Sequence, residues 1–292
     1  MCSSDLLPVM FGLSLPGIYM LILRVFASWL PAGAISALDN ANRQMQAPLG
    51  IVGQGIALAI FPALTTLAAR EEWGALRETL RRGLRLVWFL TAPATVLLLV
   101  LAEDISRILL QYGKFTPTDT QLVARALRAF ALGLFAWSGQ ALIARGFFAL
   151  RDSLTPVLVG SAVTVVFVPL CLLLMRLQGH VGLALATSIA ATLQMVWMAR
   201  LLNRRIPHDS QPRGEPLARF LVATGIAVAL MGLVAFALHT GLHALLPDFQ
   251  VNLRALVIAL VVALLSMWVY LLACKRLSVQ EVGYVWRVFK RS

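Results

Sequence analysis

A polar cluster inside an apolar stretch carries the residue types best able to bind a ligand. Asp39, Asn42, Arg43 and Gln46 follow one another closely, and Asp39 and Arg43 are four residues apart, so they share one face of a helix. That face continues through small and polar residues, namely Ala47, Gly50, Gln54 and Ala57. Because such a stripe suits helix packing better than lipid contact, the pattern predicts a polar site between helices.

Arginine gives this cluster its chemistry. Ionisable groups at membrane depth are costly and point to function, and Arg24 lies in a similar apolar stretch. Of the 13 acidic residues, we expect only Asp39 to approach the hydrocarbon beside these arginines. An uncompensated cationic site favours an anionic ligand, and the guanidinium fork suits a diphosphate. Two alternatives stay open: Arg43 pairs with Asp39 and only joins two helices, and Arg24 only reaches lipid headgroups.

Other chemistries find little support in the sequence. The three cysteines are scattered, so neither a disulfide framework nor a zinc site is predicted. His239 and His243 lie one helical turn apart, but no third ligand is nearby, so an interfacial pair is favoured over a metal site. No nucleophile, base and orienting group are spaced for hydrolysis. We therefore predict neither an enzyme nor a cofactor.

Composition places the chain in a membrane. Hydrophobic residues make up 60%, mean hydropathy is +0.83, and charged residues make up 13%, against about 25% in soluble domains. A span needs about 20 mostly apolar residues, and lipid requires every backbone group to be satisfied within the segment. The expected fold class is all-α, a polytopic integral membrane protein with about eight transmembrane helices. Their predicted ranges are roughly 6–30, 38–67, 83–110, 118–149, 156–176, 181–203, 217–244 and 252–274.

Local signals refine these helices. Thr116-Pro117-Thr118-Asp119 combines a hydroxyl cap, a proline at the first helical position and a nearby carboxylate, which predicts a helix start. Thr155-Pro156 predicts another start of the same kind. Pro48 should kink the second helix, beside glycines that permit close backbone approach. These are Gly50, Gly53 and Gly55.

The basic residues predict an orientation. Net charge is +12, with 25 basic residues, and 17 of them fall in the loops between helices two and three, four and five, and six and seven, or after the last helix. By the positive-inside rule this face is cytoplasmic, as are both termini. Amphipathic segments at 73–84 and 282–289 are expected to lie on the membrane and attract anionic lipids. Nucleic acid is not an expected partner.

Four stretches resemble the MurJ (MviN) lipid II flippases of the bacterial inner membrane. They are FASWLPAGAISALDNANRQMQAPLGIVGQGIALAIFPAL at 26–64, ILLQYGKFTPTDTQLVARALRAFALGL at 108–134, ARGFFALRDSLTPV at 144–157 and GHVGLALATSIAA at 179–191. The resemblance implies two six-helix lobes plus two final helices, of which this chain resembles helices seven to fourteen. It then divides into a six-helix C-terminal lobe at 1–203, a basic linker at 204–216, two further helices at 217–274 and a basic amphipathic tail at 275–292.

The resemblance also implies a substrate site. In that family, cavity arginines bind the diphosphate and sugar headgroup of lipid II, and the last two helices help form a groove for its polyprenyl tail. Arg43 falls on one such arginine, with Arg24 as companion. The candidate substrate-binding set is Arg43, Arg24, Asp39, Asn42, Gln46 and Gln54. The implied partners are lipid II, anionic membrane lipids and a missing N-terminal lobe.

Departures from the family keep alternatives open. The family's other cavity arginines lie on helices absent here, and Asn42 replaces a frequent acidic residue. Leu23 and Cys171 stand near positions that are polar in sodium-binding members, so no sodium site is expected. The chain could instead be a fragment of a related polysaccharide-lipid or multidrug exporter, or a membrane scaffold that transports nothing.

Overall fold

The computed structural model describes residues 17, 19–207, 217–245, 251–277, 279 and 281. The first helix, α1, is described over 19–27. The others are α2 Ala34–Pro48, α3 Gly55–Ala69, α4 Trp73–Val100, α5 Ala102–Leu110, α6 Pro117–Ala131, α7 Leu134–Ala149, α8 Leu154–Arg205, α9 Leu217–Leu245 and α10 Val251–Arg276. The described residues form no strand, so the predicted all-α class is confirmed.

Five continuous helical stretches in the described chain are long and apolar enough to cross a membrane. The pair α6 and α7, bent by 46°, forms a further span if its two helices are counted together. This apolar helical architecture is that of a multi-pass membrane protein. The count of eight spans stays a prediction, as does the division of the chain into four segments.

The long helix α8 reverses direction in its middle. A straight helix of 52 residues would be about 78 Å long, more than twice the hydrocarbon thickness of a bilayer. Gly179 breaks it with φ 57° and ψ −132°, a backbone conformation that favours glycine. A Cβ atom at Gly182 would lie 1.9 Å from the carbonyl oxygen of Leu174, although residues eight apart in a straight helix are about 12 Å apart. The chain therefore folds back at Gly179, between the predicted spans 156–176 and 181–203.

Pro48 is followed by a wider helical segment. Leu49–Gln54 is a π-helix between α2 and α3, and helices often bend at such segments, so the kink at Pro48 stays a prediction. Only one of the three neighbouring glycines makes a close approach. A Cβ at Gly53 would lie 2.8 Å from Ser138 Oγ, whereas Gly50 and Gly55 have nothing within 4 Å.

The two predicted helix starts differ in mechanism. Thr116 and Asp119 form a reciprocal capping box with Pro117 in the first turn of α6, as predicted. At α8, Asp152 accepts hydrogen bonds from the backbone N and the hydroxyl of Thr155 at 3.0 and 2.7 Å, so the cap is Asp152 rather than Thr155. Burial would raise the pKa of the Asp152 carboxyl, but these bonds and the charge of Arg205 outweigh burial and lower it.

The amphipathic segment 73–84 is the first part of α4, and part of its apolar face packs on protein; its contact with the membrane surface stays a prediction. Leu76 and Leu80 are buried in the main core, which joins residues from α1 to α8. The third predicted span is divided at Leu101, where α4 ends and α5 begins. The second amphipathic segment, 282–289, lies outside the described residues.

The last two helices pack together and against α4 and α5. A core that includes Phe89, Phe220, Met231 and Tyr270 joins α4 to this helix pair. The Tyr270 hydroxyl donates to the Phe89 carbonyl at 2.8 Å. Arg85, also on α4, is buried.

Arg85 lies at the edge of that core. Its Nε is 2.8 Å from Glu281 Oε1, and its guanidinium lies 4.4 Å from the Phe220 ring centre. Removing one partner of a buried ion pair costs about 3–5 kcal/mol because the other charge is left buried. This pair therefore anchors the final helices to the rest of the fold.

The reversal in α8 yields a first prediction. Gly182→Ala should lower the midpoint temperature of unfolding in detergent, because the added methyl meets the Leu174 backbone; overpacking of this kind costs about 1–3 kcal/mol or more. Gly225→Ala is the matched control, since nothing lies within 4 Å of that position, and it should be neutral or slightly stabilising. Equal midpoints for the two variants would contradict the fold-back.

Candidate functional site

The predicted charged residues divide into one ion pair and one open cation. Arg24 on α1 reaches Asp39 on α2, with NH2 to Oδ2 at 2.9 Å and Nε to Oδ1 at 3.4 Å. This is a two-point contact between a guanidinium fork and a carboxylate. The Arg24 side chain is 58% exposed and that of Asp39 is 21% exposed, so we expect at most about 1 kcal/mol from the pair.

Arg43 has no acidic partner among the described residues. It is exposed on α2, and no hydrogen bond or ion pair to it is found in that part of the chain. The alternative in which Arg43 pairs with Asp39 is wrong, because Arg24 occupies that carboxylate. The alternative in which Arg24 only reaches headgroups is also wrong, since it joins two helices. Within the described residues, Arg43 therefore presents an unpaired guanidinium one helical turn from the Arg24–Asp39 pair.

The polar residues of α2 lead from Arg43 into a cavity. Asn42 and Gln46 on α2 and Gln54 on the π-helical segment line it, while Arg24, Asp39 and Arg43 do not. The cavity measures about 550 Å³ and lies between α1, α2, the π-helical segment and α6 to α8. Three of the six candidate residues therefore line one cavity, and the other three do not. The six residues are not gathered around a single point.

The sequence analysis did not identify the cavity residues contributed by α7 and α8. Gln140 and Trp137 from α7, and Gln194 and Thr187 from the second arm of α8, complete it. The Gln140 amide donates to the Ala191 carbonyl at 2.6 Å, so it bridges the two helices. The position of Gln140 within an apolar helix was the signal available in the sequence. The α8 residues that face it could not be identified, because their position depends on the reversal at Gly179.

The cavity is uncharged and mainly apolar. Aliphatic, methionine and aromatic side chains make up most of its lining, amides and hydroxyls stand at a few points, and none of its described lining residues is Asp, Glu, Lys or Arg. The Asn42 amide contacts the Met20 sulfur at 3.7 Å, which is a weak acceptor. Such a lining can donate and accept hydrogen bonds with neutral groups of a ligand, and it lacks the carboxylates that would hold a cation.

The histidine pair is the second correction to the sequence analysis. Asp104 on α5 supplies the third ligand-type side chain that the sequence did not reveal: its Oδ2 lies 2.8 Å from His239 Nε2 and its Oδ1 lies 3.5 Å from His243 Nε2. Asp104 is 1% exposed, so its carboxylate is shielded from water even more than that of Asp39, which is 21% exposed. The three residues come together because α9 and α10 pack against the end of α4 and the start of α5 in a core that includes Leu101, Ala235 and Ile258.

Comparison with known proteins gives a consistent assignment. The chain is 34% identical over 198 residues to a "Probable lipid II flippase MurJ" from Vibrio cholerae, covering 68% of this chain and 38% of that protein. A protein of the same description from Bdellovibrio bacteriovorus is 28% identical over 277 residues, or 94% of this chain and 52% of that one. The chain thus spans about half or less of the length of these curated relatives.

Solved structures share the fold. "Lipid II flippase MurJ, inward closed conformation" superposes with a TM-score of 0.68 at 22% identity, covering 90% of this chain and 53% of that one. An outward-facing multidrug resistance MATE family transporter of the MOP superfamily gives 0.59 at 16% identity, covering 95% and 65%. A sequence profile described as "Lipid II flippase MurJ" matches residues 3–259. The chain therefore belongs to the MurJ lipid II flippase family, whose members are multi-pass inner-membrane transporters.

Proposed function

We propose that this chain forms the C-terminal lobe and the final helix pair of a flippase that moves lipid II across the inner membrane. The observation that carries the proposal is Arg43, an exposed guanidinium with no acidic partner among the described residues. Asp39 is already engaged by Arg24. An open cation on the polar face of α2 is suited to a diphosphate, which accepts two parallel hydrogen bonds from arginine.

The neighbouring cavity suits the uncharged parts of the headgroup. Sugars and peptide groups present hydroxyls and amides, which the glutamines, the asparagine and the hydroxyl groups of the lining can bind. Aromatic side chains such as Trp137 and Phe148 add flat apolar surfaces. In this proposal, Arg43 holds the charge while Asn42, Gln46 and Gln54 bind neutral groups at the cavity mouth.

An exporter of cationic drugs is the second candidate, because the fold is shared with a MATE transporter. Coupling export to a cation would call for carboxylates in the cavity, and no described lining residue is acidic. The lining therefore favours an anionic lipid over a cationic drug. A scaffold without transport is the remaining alternative, and a functional assay separates it from both.

Transport requires a second helical bundle. In alternating access, one bundle rocks against another around a shared site near the bilayer midplane. We propose that a six-helix N-terminal lobe completes the site and supplies further cations to the diphosphate. The cytoplasmic placement of both termini belongs to the same proposal, as does attraction of the basic loops to anionic lipids.

Arg43 should be reachable from water. In a variant whose three cysteines are replaced by serine or alanine, Arg43→Cys in lipid nanodiscs should react with a charged, membrane-impermeant maleimide. Ala41→Cys is the matched control on the same helix, because Ala41 is 0% exposed, and it should react far more slowly. Labelling is measured by a gel shift. Equal protection of both positions would place residue 43 away from water and contradict a ligand role.

Arg43 should also be essential for flipping. In a bacterium depleted of its own lipid II flippase, the chain is expressed with the N-terminal lobe of the Vibrio cholerae relative, and growth rescue is scored. Arg43→Ala should reduce rescue at least about tenfold, because a charge-assisted hydrogen bond contributes about 1.5–3 kcal/mol. Arg43→Lys should retain part of it, since the charge remains but the fork is lost.

The control for that assay is Arg70→Ala. Arg70 is 69% exposed, lies 3.9 Å from Glu72 and does not line the cavity, so its loss should not alter rescue. Rescue by Arg43→Ala equal to that of the parent chain would make Arg43 structural. Failure of the parent chain itself, although present in the membrane, would favour the scaffold alternative.

A further inference from the structure

Three metal-ligating side chains converge between α5 and α9, and none of them lines the amide cavity. One carboxylate oxygen of Asp104 and one ring nitrogen each of His239 and His243 all lie within 4.8 Å of one another. His239 and His243 share a face of α9 because they are four residues apart. Their rings are in contact, with centres 4.5 Å apart. Asp104 faces them from the first turn of α5.

We propose that Asp104, His239 and His243 form a binding site for a divalent transition metal, with zinc as the first choice, that ties α9 to α5. Two imidazoles and one carboxylate are a known ligand set for zinc, whose fourth position can take water. Calcium and magnesium prefer oxygen ligands alone. The ligand chemistry therefore selects a borderline-soft metal.

The spacing is close to what a bound metal needs. With metal–ligand distances of about 2.0–2.2 Å in a tetrahedron, neighbouring donor atoms lie about 3.4 Å apart. The observed separations from Asp104 are 2.8 Å and 3.5 Å, and no pair exceeds 4.8 Å. Small side-chain rotations suffice to reach the bound geometry. The histidine side chains are 23% and 28% exposed, so a metal ion has access.

Charged residues around this site affect how strongly it would bind a metal. Glu103 and Arg107 on α5 pair at 2.9 Å, and Arg107 lies 4.0 Å from Asp104. On α10, Arg254 donates to His243 Nδ1 at 3.0 Å and to the His243 carbonyl at 2.5 Å. When Nε2 binds a metal, Nδ1 carries the proton, so Arg254 keeps only the carbonyl contact. This exchange makes the site weaker than a structural zinc centre with four protein ligands.

The site has a structural consequence. Without metal, His239 Nε2 donates a hydrogen bond to Asp104 and already connects the helices. A metal would replace this bond with three coordination bonds that involve both histidines. Because α9 and α10 contact α4 and α5 through apolar cores, the metal would reinforce the attachment of the helix pair to the lobe. This proposal of a metal site does not depend on the proposed transport function.

The experiment measures zinc binding by the full chain, purified in detergent with a tag that contains no histidine. Zinc at about one hundred times its dissociation constant should raise the midpoint of unfolding by about 5 °C, while magnesium should have no effect. The zinc-dependent shift should be absent in His239→Ala and in His243→Ala. His180→Ala is the matched control, since His180 bonds to the Leu122 carbonyl instead, and it should keep the shift.

A second readout protects the test against unfolding of a variant. Cobalt(II) in place of zinc should give the visible absorption bands of a tetrahedral site in the parent chain, and these should be lost in His243→Gln, which keeps a polar side chain. The proposal is overturned if zinc leaves the parent chain unchanged. It is equally overturned if the shift persists in both histidine variants, because zinc would then bind elsewhere.

Discussion

The cost of holding a charge in an apolar surrounding governs how this molecule is assembled. A charged group away from water needs a partner of opposite sign or a hydrogen-bonding ligand. Glu281 meets Arg85, and Asp104 meets two histidines, and each contact crosses between helices distant in sequence. Arg24 and Asp39 form a weaker, more exposed version of the same contact. Arg43, within the polar cluster of α2, stays exposed with no acidic partner among the described residues, and an exposed cation is available to a ligand.

The same constraint organises the attachment of the final two helices. Their seam with α4 and α5 is mainly apolar, and polar contacts fix it at separate points. Arg85 and Glu281 lie at one point, Asp104 and the α9 histidines lie at another, and the Tyr270 hydroxyl on Phe89 lies between them in the chain. Apolar packing alone is weakly directional inside a membrane, since lipid tails are as apolar as leucine. These polar contacts therefore define the position of the helix pair on the lobe.

Two kinds of site result from this arrangement. Near Arg43 in the chain, the mainly apolar cavity carries a few amides and no charge among its described lining residues, which suits neutral groups of a ligand. Near Asp104, imidazoles and a carboxylate are close enough to share one ion. The first site adjoins the polar residues of α2. The second lies between Asp104 on α5 and the two histidines on α9, where a bound ion would join two helices.

The sequence by itself determined the helical membrane class, the family, the capping box at Thr116 and the polar face of α2. Those features are local or compositional: they follow from apolar length, from short motifs and from four-residue spacing along one helix. Only the tertiary structure decided that Asp39 pairs with Arg24 and not with Arg43, that Gln140 and Gln194 complete the cavity, and that Asp104 joins His239 and His243. The separation along the chain runs from 15 residues for Arg24 and Asp39 to 139 residues for Asp104 and His243. Helical periodicity orients a side chain on its own helix, but the packing of separate helices selects which other side chain it meets.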